Sequence, residues 1–186
     1  MHVINLSKTR DQDFINRVER ESGQNLSLCY QCGNCTAGCP VTFVYDIPVH
    51  QIMRLCQAGQ KEAVLGCHSL WLCASCQSCT TRCPNSIDVA HIMDTLRHMA
   101  RRDGYATEYG VKSFTDSFLE SVERHGRAFE LGLMMLYTMK TGKFWTDVDL
   151  APAMLTKGKL GFKPHPVQNK EAISKIFKRF REEFAQ

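Results

Sequence analysis

Apolar residues recur at helical spacing along most of this chain, and no convincing two-residue alternation or Asn-Gly hairpin signal interrupts them. Phe14, Ile15 and Val18 stand among charged positions ahead of Gly23, which predicts an amphipathic helix in a first zone, residues 1–27. In a second zone, residues 28–104, one helix is predicted from near Pro48 to Gly59, and another from a cap at Asp88 to Gly104. A short helix, "QKEAVLG", bridges them. The third zone, residues 105–186, has no cysteine. There "FTDSFLESVERHG" and "RAFELGLMMLYTMKTG" read as two helices parted at Gly126. The stretch "APAMLTKGKLGFKPHPVQN" reads as an extended link to a last helix, with Asn169 as cap, Glu171 in its first turn and a stripe of Ile173, Ile176, Phe177, Phe180 and Phe184. An all-α fold follows.

Against that background the cysteines are not scattered. "LCYQCGNCTAGCPVT" (28–42) and "LCASCQSCTTRCPNS" (72–86) spell one pattern twice. Cys29, Cys32, Cys35 and Cys39 map onto Cys73, Cys76, Cys79 and Cys83 at a constant offset of 44. The likeness runs on into "VHQIM" (49–53) and "VAHIM" (89–93), but there the offset is 40. Each run therefore reads as a ligand loop feeding a helix.

In C-x2-C-x2-C-x3-C-P, three closely spaced thiolates hold three corners of one iron–sulfur cubane, while the fourth leaves the loop and ligates the other cluster in two-cluster proteins. Proline turns the chain there without demanding a hydrogen bond. The expected ligands are Cys29, Cys32, Cys35 and Cys83 for a first [4Fe–4S] cluster, and Cys73, Cys76, Cys79 and Cys39 for a second. Such interlocking explains the duplication, since one run alone completes no cluster. Zinc also accepts four thiolates, but its usual signature is paired C-x2-C knuckles. Disulfides suit a secreted chain, and "MHVINLSKTRDQDF" has no apolar leader segment. A reducing, cytoplasmic setting is expected.

Net charge and composition matter mainly through those clusters. The formal charge is +4. Two cubanes with their thiolates would each add roughly −2, bringing the holo-protein near neutral, so nucleic acid is not an expected partner. The longest apolar run, "LGLMMLYTM" (131–139), is far short of the roughly 20 residues a membrane span needs. A local basic excess from Lys157 onward suits either a solvated helix or a docking face. Cys56 and Cys67, outside the pattern in apolar context, read as buried core thiols, and Trp71 as packing near a cluster. No catalytic residue is expected: the chain has no G-x-G-x-x-G, P-loop, H-E-x-x-H or nucleophile elbow. Two clusters without a site for an organic substrate describe an electron relay, and Met134, Met135 and Met139 either close its core or meet a partner.

The doubled runs, together with "GRAFELGL" (126–133), "LAPAMLTKGKL" (150–160) and "KPHPV" (163–167), resemble the iron–sulfur C subunit of heterodisulfide reductase. The resemblance implies an alpha-helical-ferredoxin fold with N- and C-terminal helical extensions, and makes the eight motif cysteines cluster ligands. It implies an oxidoreductase subunit that itself only transfers electrons. Two partners are implied. The first is the A subunit, which bears flavin and iron–sulfur groups and connects to hydrogenase or formate dehydrogenase. The second is the B subunit, which reduces the disulfide of coenzyme M and coenzyme B, a reaction of methanogenesis, at noncubane clusters. Those clusters need an adjacent Cys-Cys pair that this chain lacks. Two other readings of the motifs are an independent dicluster ferredoxin and the iron–sulfur subunit of a flavoprotein dehydrogenase for glycerol 3-phosphate or hydroxyacids.

Overall fold

A computed structural model describes residues 10–142, 151–158, 161, 163–165 and 167–184. Among the described residues every regular element is helical, and no helix is long and apolar enough to cross a membrane. The chain divides into two compact units, with Glu108 ending the first and Tyr109 opening the second.

The first unit is built on helices α1 (Gln12–Ser22), α2 (Asn34–Ala37), α3 (Val49–Gln57), α4 (Lys61–Leu65), α5 (Ser69–Leu72), α6 (Ser78–Thr81) and α7 (Val89–Arg102). Asp11 starts α1 by accepting from the Phe14 N–H at 2.8 Å, satisfying a donor that the first turn leaves over. Phe14, Ile15 and Val18 fall on one face and are buried against α3 and α7. Arg17 then clamps the end of α7 with two bonds of 2.9 Å to Asp103, which Lys61 also meets at 3.2 Å. The Asp11 N–H donates to Gly59 O at 2.9 Å, so the helix predicted for the first zone is tied into the body of this unit.

The long helices match their predicted ends closely. Asp88 caps α7 by accepting from the His91 N–H at 3.0 Å. Pro48 sits one residue earlier than a first-turn proline would, with an extended ψ of 154° just before α3. Two one-turn helices inside the cysteine runs, α2 and α6, were beyond the reach of hydrophobic periodicity, because four residues contain no repeat.

The second unit packs α8 (Tyr109–His125) against α9 (Glu130–Thr141) and α11 (Lys170–Phe184), with α10 (Ala151–Thr156) between the last two in sequence. Ser113, Ser117 and Ser121 form a buried small-residue stripe on α8 that lets neighbouring helices approach closely. Ser121 Oγ accepts from the Phe129 N–H at 2.9 Å across the turn that Gly126 makes at φ 82°. Leu133 is buried, whereas Met134, Met135 and Met139 are 41%, 59% and 72% exposed. The expected extended link holds α10 instead, since Pro152 is tolerated in a first turn and Ala, Met and Leu favour helix. Asn169 precedes α11 with φ 62°, and its backbone carbonyl accepts from the Ala172 N–H at 3.1 Å. Leu150, Lys159, Leu160 and Pro166 of the resemblance segments, and the Phe184 side chain, lie outside the described residues.

Candidate metal centre

Both cysteine runs fold by the same backbone rule. After Cys29, left-handed conformations occur at Gln31 (φ 65°) and Gly33 (φ 81°); after Cys73 they recur at Ser75 (φ 49°) and Gln77 (φ 65°). Three of these four are not glycine, and each such residue costs of order 1 kcal/mol. The strain is accepted because alternating hand turns successive N–H groups into a concavity that favours negative charge. Each loop then enters its one-turn helix, α2 or α6, and these two helices pack together.

Side chains repeat the match. Gln57 Nε2 on α3 donates to Leu26 O at 2.7 Å and Cys29 O at 2.8 Å. Arg97 on α7 grips the equivalent carbonyls, Nε to Leu70 O at 2.7 Å and Nη2 to Cys73 O at 2.8 Å. Thr36 Oγ1 accepts from the His50 N–H at 3.0 Å, and Thr80 Oγ1 from the Ala90 N–H at 3.0 Å. Each threonine thus ties the loop that bears its cysteines to the first turn of the helix that follows.

The fourth cysteine of the first run reaches the loop of the second. Cys39, from the first run, shares a pocket of about 330 Å³, partly open to solvent, with Cys73, Cys76 and Cys79 of the second. Tyr45, Val49, Ala90 and Met93 complete much of its wall. In the other direction, Asn85 Nδ2, two residues past Cys83, donates to Leu28 O beside Cys29. The Tyr30 phenol is held above its usual range by partial desolvation and then by Cys32 and Cys83.

Exposure follows the repeat at its outer corner, with Cys32 and Cys76 both exposed. Burial raises the Cys35 thiol, opposed by the Thr36 N–H, and Cys29 and Cys32 add to the rise. Burial likewise pushes Cys79 up to about 11. Cys76 is lowered by the hydroxyl and N–H of Ser78, its Sγ lying 3.4 Å from Ser78 Oγ. Gln31 Nε2 donates to Cys29 Sγ at 3.3 Å. Protons held by buried, clustered thiols are released when metal binds, so apo-loops of this kind gain their charge together with the cofactor.

One polar atom tests the fit independently. The Tyr45 hydroxyl is buried and finds no hydrogen-bond partner among the described residues. Burial and then Cys73 and Cys39 hold this phenol well above its usual range. A buried donor left unsatisfied costs about 1–3 kcal/mol. Sulfur of a cluster held in this pocket would supply the missing acceptor, and Cys39, Cys73, Cys76 and Cys79, drawn from two runs, are the kind of donor set that would hold a cubane.

Cys56 and Cys67 lie elsewhere, 0% and 3% exposed. Burial pushes Cys67 up to about 11 and raises Cys56 as well, so both behave as core thiols, as their apolar context predicted. Trp71 is buried, with its indole N–H unpartnered among the described residues. Thr36, Thr80, Gln57, Arg97 and Tyr45 all escaped sequence reasoning. The offsets of 44 and 40 carried a signal for the first four, because each pair keeps the offset of its element.

A family of known proteins matches the same segment. The 4Fe-4S dicluster domain family matches residues 25–87. The C subunit of the H(2):CoB-CoM heterodisulfide,ferredoxin reductase of Methanothermobacter thermautotrophicus is 32% identical over 95 residues, 51% of either chain. The iron-sulfur C subunit of the CoB--CoM heterodisulfide reductase of Methanopyrus kandleri is 33% identical over 87 residues, 47% of this chain and 45% of its own. The second such iron-sulfur C subunit of Methanocaldococcus jannaschii is 31% identical over 113 residues, 56% of this chain and 59% of its own. The chain spans about half the length of the relatives it matches. Residues 25–87 are a 4Fe-4S dicluster domain, the domain of two [4Fe–4S] clusters, in a chain similar over about half its length to the iron–sulfur C subunits of heterodisulfide reductases.

Proposed function

We propose that this chain is the electron-relay subunit of a heterodisulfide-reductase-like complex. It would take electrons from a partner that bears flavin and iron–sulfur groups and hand them to a second partner that reduces a disulfide. The names of its relatives point to hydrogen, or hydrogen and formate, as the ultimate donors, reached through the flavin-bearing partner. When bound, the two clusters supply one-electron redox chemistry. The chain's own residues bind and orient them and limit access of water. Cys29, Cys32, Cys35 and Cys83 hold the first cluster, and Cys73, Cys76, Cys79 and Cys39 the second.

The observation that carries this reading is the pocket in which Cys39 joins the three cysteines of the other run. Crossed arms would keep two clusters close, as a relay requires. The exposed Met134, Met135 and Met139 support a docking role for residues 105–186, because flexible thioether surfaces suit protein partners. Anaerobic affinity purification from native cells tests the assignment. The expected result is co-purification of a flavin–iron–sulfur chain and a chain with adjacent Cys-Cys pairs. Recovery as a brown monomer would replace it with an independent dicluster ferredoxin.

A further inference from the structure

The two halves of the cluster domain are not identical where the fourth cysteine returns to the helix. Nine residues separate Cys39 from Val49, whereas five separate Cys83 from Val89, which is why the repeat offset drops by four. The surplus in the first half contains Tyr45. Its N–H donates to Thr42 O at 3.2 Å, closing a 3-10 turn over Thr42–Val44. The next residue, Asp46, is fixed by the Ile47 N–H at 2.9 Å, the His68 N–H at 3.0 Å, and Ser69 through N–H at 2.9 Å and hydroxyl at 2.6 Å. Tyr45 is therefore held from both sides, with its ring on the wall of the Cys39, Cys73, Cys76 and Cys79 pocket and its hydroxyl buried without a partner. The link from Cys83 to Val89 contains no tyrosine. Tyr30 is 62% exposed, so water competes for its hydroxyl.

We propose that Tyr45 donates its O–H to sulfur of the second cluster and thereby sets that cluster's potential above the one its ligands alone would give. The proposal rests on the reading of Cys73, Cys76, Cys79 and Cys39 as one ligand set. An added electron increases the negative charge on cluster sulfur, so a fixed neutral donor binds the reduced form more tightly than the oxidised form. Because the donor is buried, no water competes for it. Tyr45 is a positioning and tuning residue: it shifts a single electron entering the chain toward the second cluster.

The test is a dithionite titration of anaerobically reconstituted full-length protein, followed by electron paramagnetic resonance, with iron counted on every sample. Y45F is expected to keep about eight irons per chain. It should reduce the equilibrium constant for reducing the second cluster about tenfold, about 59 mV for a one-electron couple. Y30F should leave both couples in place. Y45F with full iron and unshifted couples overturns the proposal. The couple that moves must also be the one missing from Cys39→Ser; movement of the other couple contradicts the ligand set itself and overturns both. Where Y45F takes up too little iron, 3-fluorotyrosine placed at position 45 keeps the ring and strengthens the donor. It must then shift the second couple upward, and no shift overturns the proposal.

Discussion

The first cysteine run and the second bind their following helices with the same set of contacts, yet they end differently. Gln57 and Arg97 grip matching carbonyls, and Thr36 and Thr80 accept from matching N–H groups. The first run then spends four extra residues before its helix, and those residues place Tyr45 in the pocket of Cys39, Cys73, Cys76 and Cys79 and Asp46 at the start of α5. What is shared between the halves is therefore what holds a cubane-sized loop, while the surplus is where one cluster's surroundings come to differ from the other's. The chemistry of the gripping side chains differs too, an amide in one half against a guanidinium that also meets Asp94 at 3.2 Å in the other.

Substitutions can break that comparison in order of expected size. Asp46→Ala has no counterpart in the second half; it removes the acceptor for four donors, including the fully buried Ser69. It should cost about 2 kcal/mol in urea unfolding of the reconstituted protein. A cost near zero would mean that the surplus residues are not structural. Arg97→Ala should lose about 1.5 kcal/mol. Arg97→Gln, which makes the second half resemble the first, should recover most of it, because an amide already makes the equivalent pair of bonds at Gln57. Failure of the glutamine to rescue would show that the charge, not the grip, matters there.

Thr36→Val should cost about 1 kcal/mol and Thr80→Val somewhat more, because Thr80 also donates to the Asp88 cap at 2.8 Å where Thr36 meets His50 Nδ1 at 2.9 Å. Urea midpoints in the reverse order would contradict that assignment. The smallest effect concerns how α1 joins them. This helix meets the first half through the backbone bond from Asp11 to Gly59 and through Glu19, which accepts from the Leu26 N–H at 2.9 Å, and the second half through the carboxylate of Asp103 and the pairing of Glu21 with Arg102. The Arg17 bonds, and then those from Lys61, hold the Asp103 carboxyl below its ordinary value against the opposing effect of burial. A depressed acid contributes stability that is complete above the ordinary carboxylate range and is lost as pH falls through the folded value. Asp103→Asn should therefore cost about 1 kcal/mol at pH 7 and progressively less in acid. A pH-independent difference from wild type would contradict the ion pair's role.

Much of the fold is written in the sequence in periodic form. Helices α1, α3 and α7 follow apolar spacing and recognisable ends, Asp88 and Gly23 among them, whereas α8 begins at Tyr109, ahead of the expected Phe114, and buries serines while Phe114 and Phe118 stay exposed. The cysteine spacing pointed to the centre because three thiolates spaced three residues apart have few other uses. The one-turn helices α2 and α6 were not legible, since a single turn has no period to read. Helix α10 was hidden behind a proline and two glycines that look like a linker, although Pro152 lies in a first turn where it does no harm. Tyr45 was missed for a different reason: its significance depends on burial without a partner, a property of the folded chain that no local pattern encodes.

The account's central claim is that the fourth cysteine of each run serves the other run's cluster. Mössbauer and paramagnetic resonance spectra of Cys39→Ser and Cys83→Ser, each reconstituted anaerobically beside wild type and beside Cys76→Ser, test it most directly. Cys39→Ser is predicted to perturb the same cluster as Cys76→Ser, and Cys83→Ser the other one. If Cys39→Ser instead perturbs the cluster that survives in Cys76→Ser, each run closes its own cluster and the crossed arrangement is wrong.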